Sequence, residues 1–214
     1  MKLLLLGLLP LLSYFPAAGP APVRVTFSPL TKAAYLAAMK SVVVTKPAMT
    51  FPVRKVRGRI VIPTASGNKI FQDKGVGTDE TAQEKYEYRG YLPQLSYHLI
   101  FVQFWEGSQW ILLNTKGRQT ELAGEPIFSP DMQHIAASWP GIEVSGEGPN
   151  IIQLLALQNG TLREVWSIEP AIEPMTWEPD EIQWLSNSTL LLKKKMWTGP
   201  KPGNTFTYSK LEIK

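Results

Sequence analysis

The chain contains no cysteine and only two histidines among its 214 residues. Without cysteine it can form no disulfide and carry no lipid on a thioether, and it lacks the thiolates of most zinc sites and redox centres. Its stability must therefore come from a packed core. The composition supports such a core, because 44% of the residues are hydrophobic and 19% are charged, as is typical of a globular domain.

The amino-terminal residues have the pattern of a secretory signal peptide. Lys2 precedes an apolar run over residues 3–12, and small residues follow between Ala17 and Ala21. The run is shorter than the roughly 20 apolar residues that cross a bilayer, which favours cleavage over anchoring. We therefore expect a signal peptide over residues 1–21, cut between about Ala17 and Ala21. The mature chain is predicted to be secreted or periplasmic, with no transmembrane segment.

The secondary structure is predicted to change near residue 53. Ser28 followed by Pro29 has the pattern of a helix start, with the helix running to about Lys40, and prolines then interrupt an extended connection. From Val53 onward the sequence reads as β-strands. We therefore divide the chain into the signal peptide, a helix and connection over residues 22–52, and a β domain over residues 53–214.

Three apolar runs each lead to a glycine that suits a hairpin turn. These glycines are Gly67, Gly117 and Gly160, spaced roughly 40 to 50 residues apart, which is about the length of one propeller blade. Glycine accepts the positive φ of a tight turn without steric cost. The pattern predicts four-stranded units at about 86–124 and 125–169. A third unit from residue 174 lacks its last strand, and residues 53–73 form only a strand pair.

An aromatic-x-Pro pattern recurs three times in the chain. In such a turn the proline fixes φ, a following aspartate accepts hydrogen bonds from backbone amides, and the aromatic ring packs between sheets. We place the pattern at the entry to the first strand of each unit. The residues to which we assign this structural role are Tyr91, Pro93, Phe128, Ser129, Pro130, Asp131, Trp177, Pro179 and Asp180.

The run from Phe128 to Ala136 resembles the repeat signature of TolB-like, WD40-like β-propellers, in which an aromatic-Ser-Pro-Asp turn leads into a strand. The resemblance is partial over residues 86–214. It implies an all-β fold of antiparallel, four-stranded, propeller-like sheets that acts as a binding scaffold without catalytic residues. Since a closed ring needs about four complete blades, we expect an open or incomplete propeller with one short amino-terminal helix. The alternatives are a small ring, in which the pair at 53–73 completes the last unit, and a β-sandwich.

The residues that could carry chemistry are few. His134 lies close to Ser129 and Asp131, but the predicted turn explains all three residues without a hydrolase triad. His98 is predicted to be structural. We therefore expect no catalytic residue, no cofactor and no metal site, and the protein is predicted not to be an enzyme. One alternative remains, a pair of carboxylates that serves a glycosidase. The candidates are Glu169, Glu173, Glu178, Asp180 and Glu181, of which Glu173, Glu178 and Asp180 would be substituted as a test.

Two basic groups and one aromatic group are candidates for binding. The four basic residues within 54–59 predict a strand with one solvated face and a candidate site for an anionic ligand. The three lysines at 193–195 predict an edge strand protected against pairing. The aromatic side chains that form a candidate ligand surface, with core packing as the alternative, are Tyr86, Tyr88, Tyr97 and Trp105.

These features together predict an exported, non-enzymatic binding or scaffold protein of the cell envelope. The net charge of +4 is too small to indicate a nucleic-acid partner, so the partner is expected to be an envelope protein or a glycan. One alternative is a hydrolase that acts on envelope glycan through a carboxylate pair. Another is a fragment of a larger propeller that a partner chain completes, and the protein could then form oligomers.

Overall fold

The computed structural model of the protein describes residues 23–42, 44–75, 83–143 and 148–214. The predicted signal peptide, residues 1–21, lies outside these ranges. In chain order the elements are β1 (Val25–Leu30), α1 (Lys32–Met39), β2 (Arg59–Thr64), β3 (Gly67–Gln72), β4 (Glu84–Leu92), β5 (Tyr97–Phe104), β6 (Ser108–Asn114), β7 (Gln119–Leu122), β8 (Ile127–Phe128), β9 (His134–Trp139), β10 (Ile151–Gln158), β11 (Thr161–Ile168), β12 (Trp177–Ser186), β13 (Thr189–Met196) and β14 (Thr205–Ile213).

The strands form four antiparallel sheets, which we number in chain order. The first sheet consists of β2 and β3, the second of β4 to β7, the third of β8 to β11, and the fourth of β12, β13, β14 and β1. None of them closes into a barrel. The all-β prediction with four-stranded antiparallel units is confirmed, and the architecture is loosely that of an open propeller.

Each sheet packs against the next through its own hydrophobic cluster. The alternation of side chains along β9 shows how this arises, because Ile135 and Ala137 belong to the cluster shared with the second sheet, whereas Ala136 belongs to the cluster shared with the fourth. A further cluster, which includes Ile60 and Ile100, joins the first and second sheets. The third sheet is therefore buried on both faces, and the four sheets form a stack in sequence order.

The amino-terminal strand β1 completes the fourth sheet. It pairs with β14 along its whole length, from Val25 opposite Ile213 to Leu30 opposite Tyr208. The carboxy-terminal unit thus has its fourth strand, which the sequence did not reveal. The predicted alternative, in which residues 53–73 complete this unit, is wrong, because that pair forms the separate first sheet.

The predicted helix start at Ser28 and Pro29 is also wrong, since both residues lie in β1. Arg24 and Lys214, just before the strand, exchange two backbone hydrogen bonds. In an antiparallel ladder hydrogen-bonded and non-hydrogen-bonded residues alternate, so every second residue from Arg24 faces β14. Pro29 falls on a residue that faces away from β14, where no N–H is needed. The helix begins three residues later than predicted, at Lys32. Thr31 is its N-cap and accepts a hydrogen bond of 3.1 Å from the amide of Ala34.

Helix α1 is held on the fourth sheet by a single buried tyrosine. The Tyr35 side chain is 3% exposed, its ring lies 4.7 Å from that of Tyr208, and its hydroxyl donates a hydrogen bond of 3.1 Å to Glu181. Burial, followed by the charge of Glu181, raises the pKa of the Tyr35 hydroxyl well above its usual range. The phenol is therefore a permanent hydrogen-bond donor that fixes the helix.

Two of the aromatic-x-Pro turns connect the first and second strands of their sheets and do not enter the first strand. Tyr91 lies in β4 with Pro93 in the turn to β5, and Phe128 ends β8 with Pro130 in the turn to β9. The third copy is not a turn. Its proline lies within β12, beside an irregularity between residues 179 and 181 that lets a strand accommodate a residue without an N–H.

The three consecutive lysines lie on β13, an interior strand, so their predicted role at a sheet edge is wrong. Successive residues of a strand point to opposite faces. Lys193 and Lys195 each form an ion pair of 2.6 Å, whereas the ammonium of Lys194 lies 6.0 Å from the ring of Phe27 and 5.1 Å from that of Trp177. Burial lowers the pKa of Lys194. Ion pairs and aromatic rings thus make these charges compatible with an interior strand.

Candidate functional site

A cavity of about 780 Å³ lies where the first strands of the second, third and fourth sheets meet. Its walls come from β4, β8 and β12, together with residues 44–49 of the connection between α1 and β2. We call it the central cavity. Because the connection runs from the helix on the fourth sheet to the start of the first sheet, it must cross the inner edges of the stack. The central cavity is therefore built by three of the four sheets together with this connection.

Close contact with β4 holds the connection in place. Thr50 and Tyr91 exchange two backbone hydrogen bonds of 2.8 and 3.0 Å. The neighbouring Gly90 has a φ of +135°, and a Cβ at this position would lie 3.2 Å from Met49 and 3.3 Å from Phe51. A Cβ there would require the Met49 and Phe51 side chains to shift by a few tenths of an ångström, and the φ itself is strained for a residue other than glycine. The glycine thus permits the close approach that closes the cavity wall.

The lining combines charges of both signs with aromatic and aliphatic side chains. The guanidinium of Arg89 lies 5.0 Å from the ring centroid of Phe101 and 5.5 Å from that of Trp110, and it forms an ion pair of 3.1 Å with Glu87. This stacking keeps the cation at the cavity wall. The other lining residues of note are Lys46, Leu99, Glu125, Ile127 and Ile182.

The two carboxylates that β12 contributes to the lining both have partners outside the cavity. Asp180 forms an ion pair of 2.6 Å with Lys193, and its hydrogen bond raises the pKa of that lysine. Glu181 accepts the hydrogen bond from Tyr35. Both acidic groups are therefore held in position at the cavity wall.

Glu178, one of the candidate catalytic carboxylates, is completely buried. Its Oε2 accepts hydrogen bonds of 3.0 Å from the amide of Ile142 and 2.8 Å from that of Glu143. The ammonium of Lys195 lies 3.8 Å from Oε1. The carboxylate thus joins the loop after β9 to the fourth sheet, whereas Glu173 is exposed in the connection between β11 and β12.

The residues around Ser129 form a closed turn. The Ser129 hydroxyl donates a hydrogen bond of 2.6 Å to Asp131 and accepts one of 2.9 Å from the backbone amide of His134. Asp131 also accepts 3.0 Å from the amide of Gln133. The ring of His134 lies beside Trp184, and burial lowers the pKa of its imidazole. The hydrogen bonds of Ser129 and Asp131 therefore close the turn.

The four candidate aromatic residues do not form one surface. Tyr97 is 1% exposed, and its hydroxyl accepts a hydrogen bond of 2.9 Å from the amide of Leu162, so it links the second and third sheets as a core residue. Trp105 is 51% exposed and lies just after β5. Core packing, the alternative considered from the sequence, thus applies to Tyr97.

Tyr86 and Tyr88 lie side by side in polar contacts on β4. The Tyr86 hydroxyl donates a hydrogen bond of 2.7 Å to Glu84, and the Tyr88 hydroxyl shares one of 2.8 Å with Nδ1 of His98. Burial is the main reason that the pKa of each phenol rises to about 12, and burial lowers the pKa of His98. These phenols and the imidazole are therefore neutral near pH 7.

Sequence reasoning missed the residues that line the central cavity. Its basic wall comes from Lys46 and Arg89, which lie far apart in the chain and in no recognisable motif. The one local signal is the Arg89-Gly90 pair within an otherwise regular strand, because glycine inside a strand often marks a close approach of another backbone.

The part of the chain that the structure describes shows neither a membrane-spanning helix nor a cluster of metal ligands. No helix in residues 23–42, 44–75, 83–143 and 148–214 is both long and apolar enough to cross a bilayer. Over the same ranges, no three acidic or histidine side chains cluster so that they could hold a metal ion. Comparisons with family models, curated proteins and solved structures found no match to this chain.

Proposed function

We propose that the protein is an exported, non-enzymatic binding or scaffold protein of the cell envelope, and that it holds a protein or glycan partner in the central cavity. The observation that carries this proposal is the position of the cavity, at the shared inner edge of three sheets. A concave site with apolar walls and a few fixed polar groups suits a ligand-binding role. Export rests on the signal-peptide pattern of residues 1–21.

The resemblance to TolB-like propeller repeats supports the same proposal. The turn from Phe128 to Asp131 has the hydrogen bonds expected of such a repeat, and the four sheets follow one another in chain order, as blades do. Propeller-like scaffolds bind partners through the loops and edges around their axis. The position of the central cavity, beside the first strands of three sheets, supports such a binding site.

The geometry favours binding over glycan hydrolysis. A glycosidase needs two carboxylates that face each other across a cleft at about 5 to 9.5 Å. Glu178 instead points at backbone amides in the interior, and Asp180 is paired with Lys193. Glu178 and Asp180 thus already have partners that stabilise the fold, whereas Glu173 is exposed.

A charge-reversed cavity should lose its partner. We expect the immobilised mature protein to retain an envelope protein or a peptidoglycan fragment, and the variant Lys46→Glu/Arg89→Glu to retain at least about tenfold less. The reason is that the two glutamates repel the anionic groups that Lys46 and Arg89 attract. A tenfold loss of affinity corresponds to about 1.4 kcal/mol of binding free energy. Quantitative mass spectrometry of the retained material gives the measurement.

The matched control is Lys116→Glu/Arg118→Glu, which reverses two exposed basic residues and changes the net charge equally but lies away from the cavity. This variant should retain the partner as the wild-type protein does. Equal losses in the two variants, or no retained partner at all, would contradict the proposal. Release of reducing ends from envelope glycan by the wild-type protein would instead support the hydrolase.

A further inference from the structure

The first sheet has two strands, whereas each of the other three has four. Gly67 begins β3 directly after the hairpin turn, and Gly117 lies in the turn between the last two strands of the second sheet. By this correspondence β2 and β3 match the outer half of a sheet. The missing half would lie on the side of β2 that faces away from β3.

The described residues that precede β2 in the chain pair with this edge at one position only. Val56 and Arg59 exchange two backbone hydrogen bonds of 2.8 and 3.0 Å across a tight turn at Arg57 and Gly58, which have φ values of 50° and 75°. In the part of the chain that the structure describes, residues 52–55 form no further backbone pair with β2. A groove of about 450 Å³ separates the two segments.

The edge of β2 in this groove carries backbone groups without a partner. Thr64 and Gly67 flank the two-residue turn of the hairpin and form its first hydrogen-bonded pair. Residues that face β3 and residues that face away from it alternate from this pair along β2. The N–H and C=O of Val61 therefore point away from β3. Neither group has a hydrogen-bond partner among the described residues. Pro63 follows two residues later and has no N–H. The edge thus offers a short ladder centred on Val61.

The groove also has an excess of positive charge. Arg54, Arg57 and Arg59 are exposed, and none of them forms an ion pair with a carboxylate of the described ranges. Lys55, the fourth basic residue of this segment, is paired with Asp73 at 2.5 Å. Arg54 and Arg59 line the groove among apolar walls, and Arg57 lies in the adjacent turn. These uncompensated arginines favour an acidic partner that also has apolar side chains.

We propose that the edge of β2 accepts an extended, acidic segment of a partner protein as an additional strand. Backbone hydrogen bonds to Val61 would hold the segment, and its alternate side chains would meet the arginines and the apolar walls. A second copy of this chain is disfavoured, because two such edges would bring like-charged arginines together. The partner segment would lie where the first sheet lacks two strands, as in the alternative that a partner chain completes the propeller. Its binding does not depend on a ligand in the central cavity.

The probe for this proposal is a labelled peptide of about eight residues in which glutamate and valine alternate. Fluorescence anisotropy with the full mature protein should show binding that weakens as salt is raised from about 50 to about 500 mM. A peptide with lysine in place of glutamate should not bind. The glutamate peptide with every second amide N-methylated should bind at least about tenfold more weakly, because it cannot pair as a strand.

Two proline variants separate the edge from the rest of the first sheet. Val61→Pro removes the N–H that the proposal uses and should weaken peptide binding at least about tenfold. Ile70→Pro is the matched control, since Ile70 lies opposite Val61 and its N–H points to the other edge. It should bind the peptide as the wild-type protein does. Circular dichroism and thermal unfolding establish that both variants are folded.

Charge variants complete the test and separate it from the test of the central cavity. Arg54→Glu/Arg59→Glu should abolish peptide binding, whereas Lys46→Glu/Arg89→Glu should leave it unchanged. The proposal is overturned if the glutamate peptide does not bind at about millimolar concentration, or if Val61→Pro or N-methylation has no effect. It is also overturned if sedimentation shows a wild-type dimer that Val61→Pro dissociates, because a second copy then occupies the edge.

Discussion

Trp184→Ala is expected to lower the free energy of unfolding by about 3 to 5 kcal/mol. Trp184 is 1% exposed and lies in the cluster between the third and fourth sheets. Its indole N–H donates a hydrogen bond of 2.8 Å to the carbonyl of Ile127. The substitution leaves a large cavity between the sheets and a carbonyl without its donor. Urea denaturation followed by circular dichroism measures the loss.

Two other variants make this result specific. Trp105→Ala should change the stability by no more than about 0.5 kcal/mol, since Trp105 is 51% exposed. Trp184→Phe, which keeps an aromatic ring but loses the N–H, should fall between the two alanine variants. If Trp184→Ala costs no more than Trp105→Ala, the third and fourth sheets do not pack as described.

Glu178→Ala should be comparably destabilising, by about 3 to 5 kcal/mol, because it breaks a buried charged contact from one side. The amides of Ile142 and Glu143 lose their acceptor. Lys195 keeps the carboxylate of Glu143 nearby but loses that of Glu178. Glu178→Gln retains an acceptor oxygen for the amides and should cost clearly less. The same denaturation experiment compares the two variants.

This comparison also decides between a structural and a catalytic carboxylate. If Glu178 is structural, Glu178→Ala, which has no acceptor oxygen, loses more stability than Glu178→Gln, which keeps one. A catalytic Glu178 predicts the opposite pattern, in which both variants fold normally and a glycan-cleaving activity disappears. The second pattern would exclude the scaffold proposal.

Much of the strand pattern could be predicted from the sequence because it is encoded locally. Gly117 and Gly160 mark turns at which only a few residues decide the chain direction. The Ser129 turn is closed by hydrogen bonds among residues 129–134. Such features depend on neighbours within about six residues, so composition and spacing are enough to place them.

The features that could not be predicted depend on pairing between distant residues. The pairing of β1 with β14 joins the two ends of the described chain, and no local signal specifies it. Ser28 and Pro29 fit a helix start equally well, and only the available edge of β14 makes them a strand. The lysines of β13 likewise suit an edge until β14 and β12 supply neighbours on both sides.

The central cavity shares this dependence on distant contacts. Lys46 and Arg89 meet only because the connection crosses β4 at Gly90, and that crossing follows from the position of α1 on the fourth sheet. The position of α1 follows in turn from β1. The placement of the amino-terminal strand is therefore the structural fact on which the proposed binding site depends.

An engineered disulfide tests this placement most directly. Val25 and Ile213 are paired in β1 and β14 at a position between hydrogen-bonded pairs, where side chains lie closest. Since the chain has no cysteine of its own, Val25→Cys/Ile213→Cys would carry its only thiols. We predict that oxidation of the folded protein joins them and stabilises it by about 2 to 4 kcal/mol, while Val25→Cys/Thr207→Cys keeps both thiols free. Free thiols in the first variant, or equal crosslinking in both, would contradict the fold described here.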